Sequence, residues 1–220
     1  MAGVSVVSKT NSRRFAQLLA GLVLYGASMA LMIQAHLGLN PWDVFHQGLA
    51  ESTGLRFGLV VIAASVAVLL LWIPLRQRPG VGTIANVLVI GVAVEATLAV
   101  LPAPGALWAR AGFLVGGVLL NGVATGMYIG ARLGPGPRDG LMTGIVARRP
   151  GLSVRLVRTA IEVLVLAVGW LLGGTVGLGT VLYAVAIGPL AQVFLPLFTV
   201  PGPAARRRPA PEPEDQSSGR

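Results

Sequence analysis

The chain has 220 residues, of which 54% are hydrophobic and only 11% charged, with a mean hydropathy of +0.76. Soluble domains carry about 25% charged residues, so an ordinary soluble fold is excluded. The absence of cysteine excludes disulfide and thiol chemistry, and the net charge of +9 flanks apolar blocks instead of forming a basic domain that could hold nucleic acid.

In chain order, residues 1–11 read as a disordered cytoplasmic tail. Lys9, Arg13 and Arg14 then precede an apolar run from Phe15 to Ile33. That run is longer than a signal-peptide core of about 7–15 residues, so it is expected to be a retained first span, roughly 13–36. Further blocks at roughly 56–75, 81–101, 110–132, 153–172 and 178–198 approach the length, about 20 residues, that crosses a bilayer as a helix. A Pro/Gly break, LPAPGALW, falls between the third and the fourth. Residues 201–220 are Pro-rich and polar, cannot bury a core, and read as a second disordered cytoplasmic tail.

One phrase occurs twice. AHLGLNPWD (35–43) and ARLGPGPRD (131–139) share Ala, Leu, Gly, Pro and Asp in register, 96 residues apart. At the same offset Gly21, Leu24, Gly26 and Gly48 match Gly117, Leu120, Gly122 and Gly144. After a one-residue slip, Gly54-Leu55 matches Gly151-Leu152, GVGT at 80–83 matches GLGT at 177–180, and Ile90-Gly91 matches Ile187-Gly188. Self-similarity at a fixed period marks a repeated unit. The expected division is residues 12–103 and 104–200, each a three-helix repeat.

Three spans per copy reverse the second copy relative to the first. The expected fold is therefore an all-α integral membrane protein of six transmembrane helices in a 3+3 inverted-topology repeat, with a short broken or interfacial helix after spans one and four. With the N-terminus cytoplasmic, 15 of the 17 basic residues fall in inside segments, and only Arg56 and Arg110 fall outside. The positive-inside rule thus places both termini in the cytoplasm.

Three stretches, LGLNPWDVFHQGL, W-x-PL-x-x-x-PG-x-GT-x-x-N (Trp72 to Asn86) and LGPGPRDGLM, resemble the YczE-like bacterial membrane proteins of the YczE/YyaS/YitT grouping, over essentially residues 15–195. The resemblance implies a small polytopic protein of the bacterial plasma (inner) membrane. It implies no substrate, because the grouping has no assigned biochemical activity.

Each repeated phrase has the chemistry of a helix start. Asn40 is expected as N-cap, Pro41 as first helical residue and Asp43 as third; Gly136, Pro137 and Asp139 take the same places in the second copy. An acid at the third position would reach back to the cap N–H. The short helices are expected at about 42–53 and 138–149, either flat in the interface or re-entrant with their starts facing a cavity. Paired broken helices in two halves point to a transport site. Asn40, Asp43 and Asp139 would offer oxygens to a cation or proton, while Arg138 would suit an anionic headgroup or substrate.

Other polar residues lie inside the apolar blocks. Arg155, Arg158 and Glu162 share one face of span five, so Arg158 and Glu162 can pair. Glu95 and its counterpart Gln192 put a long polar side chain at matched places in spans three and six; buried ionisable groups are functional candidates because burying them is costly. His36 and His46 lack metal-binding spacing and are expected at the surface or interface. Gly122, Gly126 and Gly130 form a ladder that suits close helix packing.

The candidate binding residues are therefore Asn40, Asp43, Arg138, Asp139, Glu95, Glu162 and Gln192. No nucleophile elbow, P-loop, zinc or haem motif occurs, so no enzymatic activity, cofactor or metal is expected. The expected partners are the bilayer, an unknown small solute or ion and a second copy of the chain. The expected function is that of a small-solute or ion transporter of permease type. The alternatives are a non-transporting accessory or regulatory membrane protein, and a passive channel. Against the channel, the half-helices of aquaporin-type repeats follow the second and fifth spans, whereas here they follow the first and fourth.

Overall fold

The computed structural model describes residues 2–149 and 151–200, and all regular structure among them is helical. In order the helices are α1 (Ala2–Ala35), α2 (Pro41–Thr53), α3 (Phe57–Leu70), α4 (Trp72–Leu75), α5 (Val81–Val100), α6 (Leu107–Gly130), α7 (Pro137–Arg148), α8 (Val154–Leu171) and α9 (Leu178–Phe198). Helix α1 starts at Ala2, inside the stretch expected as a tail. The expected tail at 201–220 lies outside the described residues.

Five helical segments are long and apolar enough to cross a membrane: Asn11–Ala35, Phe57–Leu75, Val81–Val100, Leu107–Gly130 and Leu178–Phe198. The expected fifth span, α8, falls outside this set. It has 18 residues and carries Arg155, Arg158 and Glu162, each expensive to bury in hydrocarbon.

Helix α1 packs on α5 and α6, and α6 packs on α9. Small residues make this closeness possible. A side chain at Gly21 would meet Ala124, Met127 and Tyr128 of α6; one at Gly117 would meet Ser28, Leu31 and Met32 of α1. Every residue in the second set lies 96 positions from one in the first, with donor and recipient helices exchanged. The same exchange relates Gly26 against Ala93 to Gly122 against Leu190, and Gly48 against Leu172 to Gly144 against Leu75. Gly122, Gly126 and Gly130 successively meet Leu190, Phe194 and Phe198 of α9, so the ladder is a packing stripe.

The connections repeat as well. His36 and Arg132 end their helices at φ 51° and 55°, and Gly38 and Gly134 follow at φ 107° and 136°, values open to glycine at little cost. Each loop is then tied to the far half by a backbone bond: Gly82 N–H donates to Leu133 O at 2.8 Å, and Gly179 N–H donates to Leu37 O at 2.7 Å. Thr83 and Thr180 accept from the N–H of Gly80 and Gly177, both at 3.2 Å, so each of the two matched GxGT stretches caps its helix, α5 or α9.

The short helices are held inside the bundle. Helix α2 packs on α8 and α3, and α7 packs on α3, α4 and α8. Trp42, Asp43, Val44, His46 and Gly48 of α2 are buried, whereas Glu51 is exposed. His46 is buried against Trp42, Phe45 and Phe57, which corrects its expected surface position. One hydrophobic cluster, including Leu22, Met29, Val61, Val94 and Ala124, joins α1, α3, α5 and α6. A second, built on Trp42, Val68, Trp72 and Leu141, anchors the short helices.

Candidate functional site: a polar cavity between two helix starts

The start of α2 forms as its sequence requires. Asn40 is extended (φ −65°, ψ 159°) and its Oδ1 accepts from the Asp43 N–H at 3.0 Å. Pro41 follows with no N–H to satisfy. Asp43 does not close the expected loop to the Asn40 backbone; its Oδ2 accepts from the Asn40 side-chain amide at 2.5 Å. Its Oδ1 lies 3.4 Å from His46 Nδ1, close enough for an ion pair but not aligned as a hydrogen bond, so both atoms are buried without a hydrogen-bond partner.

The start of α7 has the same backbone, with Gly136 at φ −63° and ψ 159°, but Gly136 has no capping side chain. The Trp72 indole N–H of α4 donates to Pro137 O at 3.0 Å and ties the turn to α4. Asp139 Oδ2 accepts from Tyr128 O–H at 3.0 Å.

The two starts share one cavity. It measures about 160 Å³, and its lining includes Asn40, Trp42, Arg138, Asp139, Tyr128 and Tyr183. Tyr25, Arg158 and Glu162 also border it. Arg138 projects between aromatic groups, with its Cζ 5.8 Å from the Tyr25 ring centroid and 5.4 Å from that of Trp42. One of its N–H groups donates to Tyr25 O–H at 2.9 Å. Among the described residues no carboxylate lies within 4.0 Å of it.

Two other charges of the cavity pair with each other. Arg158 Nε donates to Glu162 Oε1 at 2.9 Å, the pair that the i,i+4 spacing permits. Behind Tyr183, whose O–H donates to Asn121 Oδ1 at 2.9 Å, Asn121 donates to Ser28 Oγ at 2.8 Å. Asn121 and Ser28 are fully buried. A much smaller enclosed cavity of about 20 Å³, room for a single water molecule, is bordered by Trp42, His46, Ser65, Asn86 and Arg138. Arg138 and Trp42 line both spaces.

Of the residues singled out from sequence, Asn40, Arg138, Asp139 and Glu162 border the main cavity. Asp43 is buried behind Asn40. Glu95 and Gln192 are elsewhere: Glu95 Oε2 accepts from Gly58 N–H at 3.0 Å at the start of α3, and Gln192 is exposed on α9. Tyr25, Tyr128, Tyr183 and Trp42 were not among the expected site residues. The repeat offset pairs Trp42 with Arg138 and Tyr183 with Asn86, which could have drawn attention to Trp42 and Tyr183; Tyr25 and Tyr128 were not drawn out in this way. Among the described residues no group of three or more His, Asp or Glu side chains is placed to hold a metal ion.

Several apolar helices around a polar cavity, built on paired short helices, define a polytopic helical membrane protein. The model of a family of unknown function, DUF6198, matches residues 12–196, and the chain belongs to that family. It is similar to an uncharacterized protein of Haemophilus influenzae, at 44% identity over 81% of each chain. It is 34% identical to the uncharacterized membrane protein YczE of Bacillus subtilis over 80% of this chain and 83% of that one. With YyaS of the same organism it shares 26% identity over 80% and 90%. No solved structure matches.

Proposed function

We propose that the protein is a small-solute transporter of the bacterial inner membrane, with both termini cytoplasmic, and that the cavity between α2 and α7 is its substrate site. The observation that carries this reading is that Asn40 and Trp42 of one helix start and Arg138 and Asp139 of the other line the same space. Broken helices whose starts converge between two halves are the common geometry of secondary-transporter sites. The reading includes α8 as a sixth, short span and the two halves as an inverted repeat. The exchanged contacts of Gly21 and Gly117, and the matched bonds to Leu133 and Leu37, support a twofold relation between the halves. Three spans per half would put that axis in the membrane plane. Rocking one half against the other would then expose the cavity alternately to each side.

The test is a flux screen in proteoliposomes across protons, cations and small metabolites, repeated with Asp139→Asn and Asp43→Asn. Transport predicts flux of at least one solute and its loss in Asp139→Asn, which borders the cavity. No flux of any solute, together with full function of both variants in cells, would favour the accessory-protein alternative.

A further inference from the structure

We propose that the cavity takes a small organic monoanion bearing a carboxylate, and that Arg138 receives that carboxylate. The proposal deepens the transport reading by naming the substrate class of the same site.

The first argument is the state of Arg138. A guanidinium has five N–H donors, and one is engaged, with Tyr25. Tyr25 and Trp42 lie close enough for cation–π contact, which suits a weakly hydrated guanidinium. What Arg138 lacks among the described residues is a carboxylate within ion-pair distance. The acids of the cavity are committed elsewhere: Glu162 to Arg158 and Asp139 to the Tyr128 hydroxyl. Asp43, behind the wall, is held by Asn40. A buried cation with no carboxylate in ion-pair contact is expensive; Asp43 acts on Arg138 from beyond 4.0 Å, and a bound oxyanion would supply the contact in the bidentate geometry a guanidinium favours.

The second argument is the surrounding donors. Helices α2 and α7, of 13 and 12 residues, both start at the cavity, although Asp43 and Asp139 in their first turns offset part of the positive ends of their dipoles. The indole N–H of Trp42 is buried without a partner, on a residue that borders the cavity.

Size and charge narrow the class further. A space of about 160 Å³ is close to the roughly 150 Å³ cavity that admits a benzene ring. The ligand therefore has a small body, which Ile187, Met142 and the tyrosine rings can cover. Asp139 and Glu162 line the same space and would repel a second negative charge. A monoanion is accordingly favoured over a phosphate dianion.

The test uses the full chain purified in detergent micelles. The probes are acetate, lactate and benzoate, their amides, inorganic phosphate and methylammonium, each up to about 100 mM, where even a millimolar site is saturated. Binding is measured by calorimetry. In parallel, mass spectrometry reads phenylglyoxal modification of Arg138 in the wild-type protein. At least one carboxylate should bind more tightly than its amide and than phosphate, and should protect Arg138 but not the exposed Arg132 from modification. Arg138→Lys, which keeps the charge and loses the fork, should weaken that binding by roughly tenfold or more. The inference is overturned if no carboxylate protects Arg138, if phosphate, an amide or methylammonium binds better, or if Arg138→Lys binds as wild type. A carboxylate that binds at Arg138 yet crosses no liposome would leave the inference standing and remove the transport reading. Flux of a cation or neutral solute without carboxylate binding would do the reverse.

Discussion

The guanidinium carbon of Arg138 lies 5.4 Å from the ring centroid of Trp42, and the two residues are the same position, the second helical residue, of α7 and α2. They are 96 residues apart in sequence, so the contact brings one half's helix start against its counterpart. It is also the wall between the two cavities, since both residues border both spaces. The pair should therefore be energetically coupled. In a double-mutant cycle of Trp42→Leu and Arg138→Met, followed by unfolding in detergent, the coupling should be about 0.5–2 kcal/mol. Strict additivity would mean that the contact contributes nothing to holding the two starts together.

The exchanged glycine contacts make a second prediction. A Cβ at Gly21 would come within 2.9 Å of Met127 Cβ and of the Tyr128 backbone nitrogen, and one at Gly117 would come within 2.8 Å of Met32 Cγ. Gly21→Ala and Gly117→Ala should both destabilise the protein, by about 1–3 kcal/mol. Gly21→Ala should cost more, because backbone cannot yield as the flexible Met32 side chain can. Gly116→Ala, beside Gly117 but with nothing within 4 Å of the added atom, should be neutral or slightly stabilising. Thermal unfolding of the three variants in one detergent makes the comparison. Equal effects at Gly116 and Gly117 would contradict the close α1–α6 packing.

The proposed inversion can be tested by labelling, because the chain has no cysteine of its own. Ser52 and Arg148 are exposed, 96 residues apart, and near the ends of α2 and α7. Single Ser52→Cys and Arg148→Cys variants in intact cells should react oppositely with a membrane-impermeant maleimide. Ser52→Cys should be labelled from outside, and Arg148→Cys only after permeabilisation. Labelling of both from one side would rule out opposite orientation of the two halves.

What was legible in the sequence was chiefly local. Asn40, Pro41 and Asp43 specify a helix start within four residues, and α2 begins at Pro41 with the Asn40 side chain accepting from the Asp43 N–H. The GxGT turns are equally self-contained. The offset of 96–97 also carried long-range information, since residues matched in sequence turned out to exchange matched contacts. What was not legible depended on which side of a helix meets its neighbours. His46 was expected at the surface or interface, but packing on α3 and α8 covers it together with Asp43. The tyrosines that shape the cavity read as ordinary apolar-block residues, because their hydroxyl partners, Asp139, Asn121 and Arg138, come from other helices, two of them distant in sequence. Glu95 and Gln192 were alike by offset and differ in environment: α3 packs on α5 beside Glu95, while α8 and α9 make no comparable contact.

Glu95 supplies the last prediction. A carboxylate amid apolar residues suggested a proton or ion site, but its Oε2 accepts from Gly58 N–H at 3.0 Å, and Gly58 is the second residue of α3. Arg56, the N-cap residue, provides no side-chain acceptor of its own, so Glu95 from α5 satisfies one of the free N–H groups that every helix start leaves. It also places a negative charge at the positive end of the helix. Glu95→Gln keeps a carbonyl oxygen that can accept the same bond, and should change stability by less than about 0.5–1 kcal/mol. Glu95→Ala removes the acceptor and should cost about 1–2 kcal/mol. Because Glu95 does not border the cavity between α2 and α7, neither variant should change the affinity of any solute that binds there. Unfolding and binding measured on the same preparations separate the two roles. If Glu95→Gln abolished binding or flux while unfolding as the wild type does, its protonation would matter in its own right, and the capping account would be insufficient.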